Sequence, residues 1–113
     1  RQIGLKQAMG LVLSAQRTSA ADGFRMGFVN EVTEVETFED TISKWCDHIL
    51  SCAPLSIAAS KEAIMRGLDE PSLQAAMANQ DDYPSFFRWR RSEDAVEGPK
   101  AFAEKRAPNW LGR

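Results

Sequence analysis

The sequence predicts a mainly α-helical chain with one short β segment. Two observations carry this expectation: apolar residues recur at helical spacing along most of the 113 residues, and prolines or capping residues punctuate those runs where helices start. Only Phe28, Val29 and Val32 read as an extended interruption.

Ile3, Leu5, Met9, Val12 and Leu13 keep helical spacing through Gly10, and Ser14 to Arg17 form the exit turn. Ser19 with Asp22 makes a capping-box pattern for a short helix ending at Met26, where Gly27 offers a left-handed C-cap. After the extended segment, Phe38, Ile42, Trp45, Cys46, Ile49 and Leu50 recur at i, i+4, i+7, i+8, i+11 and i+12, one apolar stripe. Pro54 opens the next helix, with Ile57, Ile64, Met65 and Leu68 as its apolar face. Pro71 and Ser72 begin another, with Leu73, Ala76 and Met77 expected to face inward, and Pro84 should end or kink it. Residues 1–36 and 37–113 are the expected divisions of the chain.

The last stretch, SEDAVEGPKAFAEKRAPNW from Ser92 to Trp110, carries the most specific order of residue types. Ser92 can cap a helix whose first turn holds Glu93 and Asp94, which complement the positive end of the helix dipole. Gly98 and Pro99 are expected to interrupt that helix and restart it. Phe102 and Lys105, three apart, would then share a helical face, where a stacking ring and a cation could meet one ligand.

Composition excludes several classes. The chain is 43% hydrophobic and 27% charged with a net charge of −2, neither the sparse hydrophobicity of disorder nor the basic excess of a general nucleic-acid binder. No apolar run approaches the ~20 residues that span a bilayer. Cys46 and Cys52 provide no disulfide framework, which favours a reducing cytoplasm. Cys46, His48 and Cys52 point in three directions around one helix and do not converge as a metal site, so buried or interfacial thiols are expected, with Cys46 on the apolar stripe. The run FFRWRR at Phe86 to Arg91 interleaves rings and arginines, but Asp81, Asp82, Glu93 and Asp94 flank it and cancel much of the field that phosphates would feel. Neither nucleic acid nor membrane is an expected partner. Phe86, Phe87, Trp89, Phe102 and Trp110 crowd the last third, a density of rings that marks either an interface between subunits or the cover of an N-terminal half of the same chain.

The tail resembles the C-terminus of the enoyl-CoA hydratase/isomerase (crotonase) family, which ends in an SED…EG…AF.EKR.P.W pattern. LVLSAQRTSAADGFRMGFVNEV from Leu11 to Val32 and CAPLSIAASKEAIMRGL from Cys52 to Leu68 are similar to further family segments in the same order. Tyr83 to Ser85 and the tail also look like the carnitinyl-CoA dehydratase branch. The resemblance implies the C-terminal helical oligomerisation region of a crotonase-like ββα spiral, and an acyl-CoA thioester as substrate with no covalently bound cofactor. Assembly as a trimer or hexamer is implied too. Since members of the family are more than twice as long and residue 1 is Arg, a fragment is expected, inactive by itself, with the oxyanion hole lying upstream. By the same resemblance, Gly10 stands where the family carries a catalytic glutamate, while Phe102 and Lys105 match residues reaching a neighbouring subunit's CoA. No residue of this chain is expected to be catalytic. The alternative is a non-catalytic helical module for self-association or protein interaction.

Overall fold

A computed structural model describes residues 2–113. Among them are the helices α1 (Leu5–Ser14), α2 (Ala20–Met26), α3 (Phe38–Leu50), α4 (Pro54–Gly67), α5 (Leu73–Asn79), α6 (Pro84–Arg90) and α7 (Glu93–Ala103). Single 3-10 turns lie at Val35–Thr37 and Gln80–Asp82. The chain divides into two compact units, the first running to Ser43 and the second spanning Lys44–Arg113.

In the first unit, α1 ends in a left-handed residue, Ala15 at φ 50°, and the Ser14 hydroxyl donates to the Gly10 carbonyl at 2.6 Å. The capping box forms as its spacing predicts. Asp22 N–H donates to Ser19 Oγ at 3.1 Å while the Ser19 hydroxyl donates to Asp22 Oδ2 at 2.8 Å. That hydroxyl, with the Arg25 guanidinium, holds the Asp22 carboxyl below its ordinary range. Gly27 closes α2 at φ 92°.

The expected β segment is absent: no strand occurs among the described residues. The amides of Gly27, Phe28 and Val29 all donate to the Gly23 carbonyl, at 3.0, 3.1 and 3.3 Å. They wrap the chain around the end of α2, so its first donors are spent locally. Buried Gly23 permits this close return, since a Cβ there would lie 2.8 Å from Val29 Cγ2.

In the second unit, α4 packs chiefly on α6, with α5 and α7 alongside. Its buried apolar residues are Ala53, Leu55, Ala59, Tyr83 and Ala101. This differs from the expected faces. Ile57 is half-buried, but Ile64 and Met65 of α4, Leu68 just beyond its end, and Leu73 and Met77 of α5 are exposed. A polar pin explains the rotation, because the Ser85 amide at the start of α6 donates to Glu62 Oε2 at 2.7 Å and so turns the Leu55–Ala59 edge of α4 toward α6. That amide, the first cause, holds the Glu62 carboxyl below its ordinary range despite partial desolvation. Arg66 completes the pin, 2.8 Å from Glu62 and with its guanidinium 5.2 Å from the Tyr83 ring centroid. The Tyr83 hydroxyl in turn donates to Glu70 at 3.1 Å. In α3, Phe38, Ile42, Trp45 and Ile49 share the predicted stripe, yet each is at least 41% exposed, and the Cys46 thiol is exposed, which leaves the interfacial alternative and not the buried one.

Candidate functional site

The tail folds back along α7, and the helix's own acidic residues hold it there. Ser92 caps the helix by accepting from the Ala95 amide at 3.2 Å. Asp94, only 2% exposed, accepts from the amides of Leu111 at 2.7 Å and Gly112 at 3.0 Å. One turn later Glu97 accepts two parallel bonds from Arg106, Nη1–Oε1 at 2.5 Å and Nη2–Oε2 at 2.9 Å, and a third from the Asn109 amide at 2.8 Å. The Arg106 bonds, first, and the Asn109 amide hold the Glu97 carboxyl down at about 2; Glu97 and Glu104 push the Arg106 guanidinium up.

Gly98 and Pro99 do not break the helix, contrary to the sequence expectation: α7 runs through both. The glycine serves packing. A Cβ at residue 98 would stand 3.3 Å from Trp110 Cη2, and the indole Nε1–H donates to the Ser51 carbonyl at 2.8 Å. The proline sacrifices one intrahelical donor, which the tail contacts on α7 offset.

The helix ends in a reversed turn. Lys105 N–H donates to Phe102 O at 3.2 Å, Arg106 N–H donates to Ala101 O at 3.1 Å, and Lys105 has φ 53°, a Schellman arrangement with lysine where glycine is usual. Lys105 therefore lies beyond the helix, not on one helical face with Phe102 as the spacing implied. Phe102 is 88% exposed in the last turn, and the Lys105 ammonium makes no ion pair among the described residues. An open stacking ring and a free cation thus sit at either end of one hydrogen-bonded turn, a pairing suited to a base and its phosphate.

The remaining candidates belong to other elements. Gly10 is exposed on α1, nothing lies within 4 Å of a Cβ built there, and it borders a cavity of about 490 Å³ that Ser14, Arg17, Thr18 and Arg25 also line. Among the described residues no group of three or more His, Cys, Asp or Glu could hold a metal ion. The Cys52 thiol donates to the His48 carbonyl at 3.3 Å. In the FFRWRR run, Phe86 and Trp89 stack edge-on at 5.2 Å, the Arg91 guanidinium covers Phe87 at 3.6 Å and Arg90 pairs with Asp81 at 2.6 Å. No helix is long and apolar enough to cross a membrane among the described residues.

Asp94 and Glu97 carry the tail's geometry, and the sequence points to neither in that role. Pro108 does not mark the return either, since the turn at Lys105 ends α7 upstream of it.

The enoyl-CoA hydratase/isomerase family model matches residues 1–113. The carnitinyl-CoA dehydratase of Proteus mirabilis is 36% identical over 105 residues, covering 91% of this chain and 40% of that protein. The Salmonella typhi protein of the same name is 38% identical over 108 residues with the same coverage. A crystal structure of an enoyl-CoA hydratase/isomerase from Mycobacterium paratuberculosis superposes with a TM-score of 0.88 at 33% identity, over 100% of this chain and 44% of that one. The enoyl-CoA hydratase of Bacillus anthracis gives 0.88 at 28% identity. The chain thus spans 40–44% of the length of these relatives and has the helical part of a crotonase-like fold.

Proposed function

Because the chain belongs to the enoyl-CoA hydratase/isomerase family, we propose that it supplies the C-terminal helical part of a cytoplasmic acyl-CoA-processing enzyme and contributes the edge of the coenzyme A site. The observation that carries this reading is the Phe102–Lys105 turn, an exposed ring and an unpaired cation on a backbone fixed by its own hydrogen bonds. The adenine would stack on Phe102 while Lys105, a compact and solvated point charge, meets a phosphate. Catalysis comes from outside these residues. Gly10 has no proton to give or take, so the groups that move protons at the thioester, and the backbone donors that polarise its carbonyl, belong to the rest of the enzyme. The open space beside Gly10 suits a wall of the acyl pocket.

The exposed apolar faces of α3, α4 and α5 support assembly into a homotrimer or hexamer, in which the tail reaches a neighbouring subunit's CoA. They equally favour a second reading, a helical module that only associates with itself or another protein. Titrating an acyl-CoA into the full-length enzyme separates the two. The first reading expects saturable binding that Lys105→Ala weakens about threefold to fivefold, as for an exposed charge contact; no saturable binding would leave the assembly module.

A further inference from the structure

We propose that Glu97 and Arg106 form a clamp that positions Lys105, a role for two side chains that do not themselves touch the ligand; this rests on the coenzyme A reading of the turn. Three observations lead there. Lys105 adopts a left-handed backbone, φ 53°, which a residue with a Cβ reaches at a cost that glycine avoids. The next residue, Arg106, is held from three sides: its backbone N–H by Ala101 O at 3.1 Å, its guanidinium by both Glu97 oxygens at 2.5 and 2.9 Å, and its Nε by Glu104 at 2.6 Å. Glu97 itself cannot yield, since the Asn109 amide and the Arg106 fork fix both its oxygens.

Planar guanidinium on carboxylate is the geometry that resists rotation, which a lysine at position 106 would not reproduce. Immediately before this anchor stands a residue in an uncommon conformation whose ammonium has no ion-pair partner among the described residues. Had the turn only to end the helix, glycine at 105 would do so with less strain. The clamp therefore maintains an unfavoured backbone at the one residue of the turn that carries an unengaged charge, and it sets the ammonium's origin before the ligand arrives. Positioning in advance lowers the ordering cost of binding.

The test is a double-mutant cycle in the full-length enzyme, read by calorimetric titration with coenzyme A and with dephospho-coenzyme A, which lacks the 3′-phosphate. Lys105→Ala and Glu97→Gln are each expected to weaken coenzyme A about threefold to fivefold and to leave dephospho-coenzyme A unchanged. The double variant should match Lys105→Ala alone, because the clamp acts only through that lysine. Additive losses, or equal losses for both ligands in Glu97→Gln, would show a merely structural pair and overturn the clamp while the coenzyme A contact stands. No loss in Lys105→Ala would remove the contact and the clamp together. Should Glu97→Gln fail to fold, Arg106→Lys, which keeps the charge and loses the fork, takes its place in the cycle with the same expectations.

Discussion

Single side chains do disproportionate work in this chain because few of its residues are buried. Ser92 is one: replacing it with alanine orphans the Ala95 amide and should cost about 1 kcal/mol in urea unfolding. Gly23 is another. Alanine there gains helix propensity but must displace Val29, a β-branched side chain 2.8 Å from the new methyl, so Gly23→Ala should destabilise by about 1–2 kcal/mol. An unchanged midpoint would mean that the return over α2 is loose.

Glu97 makes a prediction in pH. Its carboxyl falls from 4.5 when free to about 2 in the folded chain, so folding favours the ionised form. The contribution is complete above about pH 4.5 and is lost as pH falls through 2. The stability gap between the wild type and Glu97→Gln should therefore be flat at neutral pH and narrow only below pH 4.5. A gap that narrows already between pH 7 and 5 would contradict the observed pairing.

At the scale of elements, the α4–α6 contact depends on one carboxylate. Glu62→Ala should leave the Ser85 amide without its acceptor and release Arg66 from its pair. Hydrogen exchange in the first turn of α6 should speed up, while α7, held by Asp94 and Glu97, keeps its protection. Equal loss in both helices would mean that the unit opens as a whole.

Helix starts were legible in the sequence where they depend on local chemistry. Ser19, Ser72 and Ser92 cap where their spacing puts them and Pro54 stands in the first turn of α4, whereas Pro84, expected to end or kink a helix, opens α6. What the sequence misjudged depends on distant partners. Gly98 and Pro99 look like a break until Trp110, anchored on Ser51, fills the space above the glycine. Phe28 to Val32 look extended until the Gly23 carbonyl collects the donors of Phe28 and Val29. Of the candidate site, Phe102 and Lys105 were legible as a pair of residue types. Their relation was not, since the left-handed turn between them departs from the i, i+3 geometry of a continuous helix.

The molecule as a whole holds too little core for the apolar surface it presents. The buried apolar residues of the second unit include three alanines with Leu55 and Tyr83, while Ile49, Ile64, Met77 and Phe102 stay more than half exposed. Surface of this kind is stable in water only when something covers it. The chain spans 40% of the length of the carnitinyl-CoA dehydratases it matches, and on the proposed reading the cover comes from the remainder of an enzyme and from further copies. Produced alone, the 113 residues should bind a hydrophobic dye strongly and sediment above their 12.6 kDa mass at micromolar concentration. On the proposed reading, which puts the proton-transferring groups elsewhere, they should also fail to turn over crotonyl-CoA. Supplying the remainder of the enzyme in trans should quench the dye and, if the α3–α5 faces are what it covers, return the sedimentation to a defined oligomer. A chain that remains a monomer and excludes the dye unaided would show that its faces need no cover, and would remove the basis for reading them as an assembly surface.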